Sequence, residues 1–384
     1  MSQIPLQHGV FLAPYHPNEE SPTTWLRRDI ELAQHLDKLG FAELWVGEHH
    51  SGGFEIIASP DLFIAAAAEV TRRIRFGTGV MTLPYHNPLM VANRMAQLDH
   101  QTMGRVSFGF GPGLLMSDAL MMGIDPEKTR DMMLEAIDVI VRLLRGECVT
   151  ARTDWFNLVE ARAHLLPYSQ PLEMAVASAG TPSGGRAAGK FGMSMLCVAA
   201  SQVGAFDVLA SNWKIANEVA AQYGNTMDPA KLRLVAPVHI AETREKAREN
   251  VRHGLDRWVR YYDMASPNPF PKDGRDPVDI LIDSGRAVIG TPEDAIGMIN
   301  RLRGKQGQFG VFLAQHVDWA DWDQTMKSFE LYARYVMPHF SGANANRIAT
   351  YNVMAERVEE FKALRRGAAD KAFAQHEAAL RKVG

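Results

Sequence analysis

The sequence predicts an α/β chain whose parallel strands close into a (β/α)8 barrel, and three observations carry that expectation. Eight short apolar runs alternate with helical patterns along most of the chain. No shift in composition marks a domain boundary before residue 340. The first run is not followed by the glycine fingerprint that opens a dinucleotide-binding sheet, the competing architecture.

The first strand is read at 8–12 (HGVFL), after a polar start. A helix at 23–39 follows, because Leu26, Ile30, Ala33, Leu36 and Leu39 recur at helical spacing and Gly40 supplies a stop. The run 44–47 makes the second strand, an alanine-rich helix the stretch 61–70, and IRFGTGVM the third strand at 74–81. A helix at 88–98, a strand at 105–111 and an amphipathic helix at 127–144 continue the rhythm. Strands at 174–178, 195–199, 233–240 and 309–314 complete the eight, with helices at 184–191, 207–223, 244–262, 292–303 and 322–339 between and after them. Thr291, Pro292, Glu293 and Asp294 start one of these helices as N-cap, first-turn proline and dipole-matched acids, so no catalytic role is needed there.

Three stretches break the period. Residues 145–170, with Trp155, Pro167 and Tyr168, read as a surface excursion. Residues 263–285, which contain PNPFPKD, read as a mobile lid or linker. The barrel is expected over 1–340, and 341–384 form a helical extension packed outside it or reaching a partner chain.

With 46% hydrophobic and 22% charged residues among 384, the composition is that of an ordinary globular chain, and a net charge of -3 points to neither nucleic acid nor membrane surfaces as partners. Cys148 and Cys197 cannot build a disulfide framework, and no charged-then-apolar leader opens the sequence, so a reduced, cytoplasmic protein is expected. HExxH, GxSxG and paired cysteine ligands are absent, which leaves zinc and serine-hydrolase chemistry without support and no metal is expected.

The run 44–47 ends in Glu48, His49 and His50 and then Gly52-Gly53, the pattern of a buried strand delivering polar groups to a loop at its carboxyl end. On extended backbone His49 and His50 point oppositely and cannot easily share one metal; one faces a pocket while the other packs or orients, unless both are plain loop histidines. Gly109, Gly111 and Gly113 allow either a close backbone approach to a flat ligand or a simple turn. From Ser178 to Arg186 the chain supplies hydroxyls at Ser178, Thr181 and Ser183, then Gly184, Gly185 and Arg186 at a helix start, an anion site of the kind that grips a monophosphate, unless Ser183 merely caps the helix. Residues 184–190 also satisfy GxxxxGK, but Phe191 stands where a nucleoside triphosphatase needs Ser or Thr, which excludes that class. Phe54, Tyr85, Met81 and Met116 are candidate walls of an apolar pocket, with Trp45, Phe108 and His86 as further ring surfaces.

Together VGEHH, RFGTGVMTLPYHNPLMVANRMAQLDHQTMGRVSFGFGPG, VASAGTPSGGRAAGKFG and VIGTPEDAI resemble the bacterial luciferase-like flavin monooxygenase family over residues 7–340. GEHHSGGFEIIASP and FGPGLLMSDALMMGIDP look especially like its limonene and diketocamphane monooxygenase branch. The resemblance implies reduced FMN, with FAD a possible substitute, bound at the strands' carboxyl ends and activating dioxygen as a C4a-(hydro)peroxyflavin. It also implies a separate NAD(P)H-dependent flavin reductase, a small apolar substrate such as a monoterpene or cyclic ketone, and a homodimer formed around the 64–69 helix. Residue by residue, His49 matches the family's catalytic histidine and His50 its neighbour, while Gly79-Val80 matches a cis pair beneath the flavin ring. Ser178 and Thr181 match phosphate-contacting positions. Gly111-Pro112 departs from the family's cysteine-arginine pair, which leaves Arg186 as a candidate substitute for the missing phosphate ligand. An F420-dependent dehydrogenase and a non-catalytic flavin-binding partner subunit are the alternatives.

Overall fold

A computed structural model of the chain describes residues 4–204, 207–266 and 270–381. The first half of the ring runs β1 (Gln7–Leu12), α1 (Pro22–Leu39), β2 (Glu43–Val46), α2 (Pro60–Glu69), β3 (Arg75–Thr82), α3 (Pro88–Gln101) and β4 (Val106–Gly111). Next come a short α4 (Met116–Met121), α5 (Thr129–Leu144), and β5 (Val149–Arg152) paired antiparallel with β6 (Asn157–Ala161). β7 (Met174–Ser178), α6 (Ser183–Phe191), β8 (Ser194–Cys197), α7 (Leu209–Gln222) and β9 (Arg233–Ile240) resume the alternation. The ring is completed through α8 (Arg244–Val251), α9 (Leu255–Ala265), α10 (Pro277–Asp283), β10 (Val288–Gly290), α11 (Pro292–Gln306), β11 (Val311–His316) and α12 (Trp322–Leu331).

Among the described residues the parallel ladder β1-β2-β3-β4-β7-β8-β9-β11 returns to β1, so eight strands close the barrel and β10 adds a ninth on the far half of β9. These eight are the strands the sequence predicts. Local chemistry sets the helix ends: the Ser21 hydroxyl accepts from the Thr24 amide, Pro22 opens α1, and Gly40 at φ 86° closes it. At α11 the Asp294 carboxylate accepts from the Thr291 amide at 2.9 Å, as the Thr-Pro-Glu-Asp pattern predicts.

The barrel is filled, not hollow. Trp45 lies wholly buried inside it, and its indole takes the space beside Gly77 and Gly109; a Cβ at residue 77 would overlap the indole, and one at 109 would sit 2.8 Å from it. Gly109 gives space to the Thr78 carbonyl and the Trp45 indole, and neither Trp45 nor Phe108, itself fully buried, is a free ring surface. Below this layer, at the amino ends of the strands, the Arg233 guanidinium donates to both Glu43 carboxylate oxygens (2.7 and 2.8 Å) and to Glu173 (2.7 Å). Trp45 adds an N–H to Glu43 at 2.6 Å. Only 2% of the Arg233 side chain is exposed, so the charges are neutralised inside the protein rather than by water.

Three expectations change. The 145–170 excursion contains the β5–β6 hairpin, and Trp155 donates to Glu135 of α5 at 2.7 Å. The helix expected at 244–262 is two, broken at Gly254, whose amide donates to the Trp319 carbonyl at 2.8 Å; a side chain there would strike the Asp318 backbone. The segment 263–285 is structured where described: α10 inserts Val278, Ile280 and Leu281 into the core and Phe270 is buried with them, while residues 267–269 of the expected lid lie outside the described residues. The chain divides into two compact units at 337/338, one residue into α13 (Met337–Ser341); the second also holds α14 (Ala345–Glu356) and α15 (Val358–Leu380) and buries none of its described residues. Cys148 and Cys197 are free, and among the described residues no helix is long and apolar enough to cross a membrane.

Candidate active site

A parallel ring puts the carboxyl end of every strand on one rim. β2, β3, β4 and β7 are consecutive around it, so the His49 loop, Gly79-Val80, Gly111 and Ser178 follow one another. At about 4.8 Å between strands, the three steps from β2 to β7 cover roughly 14 Å. Between Gly79 and Val80 the peptide is cis, and the β3–β4 register slips there between Thr78 and Met81.

His49 leaves the end of β2 between two carboxylates. Its Nδ1 lies 3.1 Å from Asp118 of α4 and its Nε2 3.5 Å from Glu55. Burial alone would depress this imidazole, but the Glu55 and Asp118 charges outweigh it and hold the pKa above the ordinary histidine value. Asp118 is fixed in turn by the His50 amide (3.1 Å) and the Ser51 hydroxyl. Burial would raise the Asp118 pKa, yet the hydrogen bonds from His49 and Ser51 keep it below the usual carboxylate range.

His50 serves a second carboxylate. Glu48 Oε1 receives His50 Nε2 at 3.0 Å and His86 Nε2 at 2.8 Å, while Oε2 accepts the Thr82 amide at 2.9 Å. Arg94 can only donate, so its 3.3 Å contact makes His86 Nδ1 the acceptor and places the ring proton on Nε2, toward Glu48. Burial works to raise the pKa of Glu48, but those hydrogen bonds hold it low; the same carboxylate raises His50. His50 and Glu48 thus brace the β2 and β3 loops, while His49 stands between Asp118 and Glu55.

The pocket candidates separate. Phe54 stacks on Tyr15 with centroids 5.1 Å apart, and both meet Tyr261 of α9 at 5.3 Å, a continuous aromatic wall beside His49. Tyr85 crosses His50 edge-on at 5.7 Å, and its buried hydroxyl has no protein partner. Met81 is only 1% exposed and packs within the sheet rather than lining an opening; Met116 is 53% exposed. Gly111 gives space to Val80, whose methyl would lie 2.6 Å from a Cβ there.

At the far end of this arc Ser178 is buried and accepts from Asn212 Nδ2 at 2.9 Å, and the same amide reaches the Thr181 carbonyl at 3.0 Å. The Thr181 and Ser183 hydroxyls pair at 2.8 Å. Ser183 is not the cap: α6 begins after Pro182, and no side chain caps its first amides, which leaves them for an anion. Gly184 and Gly185 let α6 pack closely, since a Cβ at 184 would strike the Ala177 carbonyl and one at 185 would lie 2.5 Å from the Asn212 carbonyl. Arg186 is exposed and free of ion pairs among the described residues. Hydroxyls, open amides and a free guanidinium suit a phosphate monoester.

Residues 6–304 match the luciferase-like monooxygenase family profile. The chain belongs to that family. It is 48% identical over 345 residues to limonene 1,2-monooxygenase of Rhodococcus erythropolis, spanning 90% of this chain and 89% of that one. It is 43% identical over 371 residues to 4-hydroxyprotoasukamycin monooxygenase of Streptomyces nodosus subsp. asukaensis, spanning 94% and 99%. The solved oxygenating constituent of 3,6-diketocamphane monooxygenase from Pseudomonas putida, a type II Baeyer-Villiger monooxygenase in complex with FMN, superposes with a TM-score of 0.72 at 24% identity, covering 87% of this chain and 99% of that one. This luciferase-like chain is thus an oxidoreductase of the monooxygenase type. Four of its site residues escape sequence reading: Glu55, Asp118, Asn212 and Tyr261 come from separate segments, and no local pattern announces them.

Proposed function

We propose that this monooxygenase uses reduced FMN and dioxygen to oxygenate a small apolar substrate, receiving the flavin from a separate NAD(P)H-dependent reductase. One observation carries the reading: a carboxylate-flanked His49 and the open α6 N-terminus stand on one barrel rim, roughly 14 Å apart around it. Ser178, Thr181, Arg186 and the first α6 amides would hold the phosphate, and Gly79-Val80 and Gly111 would lie along the ring. When bound, the reduced flavin supplies the reaction with dioxygen. His49 supplies the proton, and Phe54, backed by the buried rings of Tyr15 and Tyr261, excludes water and meets the apolar body of the substrate.

Carboxylates on both sides of His49 raise its pKa and favour the protonated ring, and a proton donor favours electrophilic oxygen transfer to a carbon–carbon double bond over nucleophilic attack on a ketone. The similarity to limonene 1,2-monooxygenase supports the same choice, so a cyclic monoterpene alkene is the proposed substrate class. The test is mass spectrometry of products from alkene and ketone panels, with a flavin reductase supplied. Oxygenated alkenes are expected; binding of deazaflavin F420 in place of FMN, with no oxygenated product, would overturn the reading. Arg186→Ala is expected to weaken binding of reduced FMN about tenfold, the loss of one charge-assisted contact, with riboflavin affinity unchanged. Self-association belongs to the same proposal, since Leu62 of α2 and Met90 of α3 are exposed apolar groups on neighbouring helices; light scattering tests it.

A further inference from the structure

His49 is tied to more than the rim. Beyond Glu55 stands Tyr261, whose hydroxyl donates to Glu55 Oε1 at 2.7 Å while Oε2 faces His49 Nε2 at 3.5 Å. Glu55 is itself seated by backbone: residues 15 and 55 form an antiparallel bridge, the His16 amide donates to the Phe54 carbonyl at 2.9 Å, and the Ile56 amide to Pro14 at 3.2 Å. The His49 amide donates to Ile57 at 3.2 Å, so histidine and glutamate are held by the same loop.

We propose that Glu55 and Tyr261 are positioning residues, a buried relay through which α9 sets the direction and protonation of His49. The inference rests on the monooxygenase reading only in supposing that His49 donates a proton to the reaction. Asp118 accepts at Nδ1 and the Glu55 carboxylate stands 3.5 Å from Nε2, so negative charge faces both sides of the ring, which is the arrangement that suits the charged imidazolium. The groups around it are Glu55 from the loop after β2, Asp118 from α4, Glu48 and His50 from its own segment, and Tyr261 from α9 acting through Glu55. Tyr261 also belongs to the aromatic wall, so a substrate that displaces its ring would loosen Glu55 and alter the proton donor at the moment of binding.

The test follows the His49 ring by NMR titration of the full-length, flavin-free chain, alongside the pH profile of kcat. Glu55→Gln keeps the shape and removes the charge. It is expected to lower the His49 titration midpoint and to move the high-pH limb of kcat down by the same interval, with KM for the apolar substrate little changed. Glu55→Asp restores most of the midpoint. Tyr261→Phe keeps the ring stack and shifts the midpoint in the same direction by less, because an untethered carboxylate spends less time at Nε2. An unmoved midpoint in Glu55→Gln overturns the relay; an unmoved midpoint in Tyr261→Phe removes α9 from it. Since the titration needs neither flavin nor substrate, a wild-type chain that forms no product while Glu55→Gln still shifts His49 would fault the reaction and leave the relay standing.

Discussion

His49→Ala is expected to lower substrate oxygenation by roughly 10²- to 10⁴-fold, the range for loss of a positioned acid–base group, while hydrogen peroxide released per turnover rises. The reasoning runs from position to proton. His49 is the rim imidazole whose two nitrogens face Asp118 and Glu55, whereas the His50 and His86 rings both bond Glu48. Without it, reduced flavin still gives its two electrons to dioxygen, but both oxygen atoms leave as hydrogen peroxide instead of one reaching the substrate. Because Glu55 and Asp118 raise the His49 pKa, the protonated form persists above the pH at which a free imidazole discharges, and product yield should fall as pH rises through that elevated value. The His49→Ala variant should lose that limb altogether. Equal coupling of oxygen consumption to product in wild type and variant would remove His49 from the reaction. The substitution also leaves two carboxylates facing one another, so circular dichroism on the same sample separates a fold defect from a chemical one.

The ring was legible because its strands are apolar runs long enough to show, and because the β-α alternation allows few closures. Elements that escaped are those whose pattern is short or satisfied only in three dimensions. β10 has three residues, and α4 sits inside a methionine- and leucine-rich stretch that hides Asp118. The hairpin β5–β6 carries a mostly exposed, mixed sequence with weak alternation. Glycine was the least readable residue. Gly109 and Gly184 sit in motifs that suggest ligand contact, yet the groups needing space at Gly109 are the Thr78 carbonyl of β3 and the Trp45 ring of β2, and at Gly184 it is the adjoining strand's carbonyl. His49 could be picked out from its neighbours, but its role could not, since Glu55 and Asp118 reach it only once the loops after β2 and β4 fold over the same rim.

Arg233→Ala is expected to be the most destabilising single change, by about 3–5 kcal/mol, although it lies at the opposite end of the barrel from the chemistry. The guanidinium bonds Glu43 twice and Glu173 once in a layer closed above by Trp45, over whose ring its Cζ stands at 4.9 Å. Removing it strands a buried carboxylate on β2 and leaves a cavity beneath the indole. The pH dependence gives a second, independent reading. Burial works to raise the Glu173 pKa, but Arg233 more than compensates, so the folded value is depressed. A depressed carboxylate contributes stability that is present above its unfolded pKa and is lost as pH falls through the folded one. The gap between wild type and Arg233→Ala in urea unfolding should therefore be widest near neutral pH and narrow in acid. A gap independent of pH would mean that Arg233 acts by filling space rather than by charge. Arg233→Met with Glu43→Leu, which removes that charge pair together and keeps the volume, should recover part of the loss, less than the whole because the Trp45 N–H and Glu173 lose their partners.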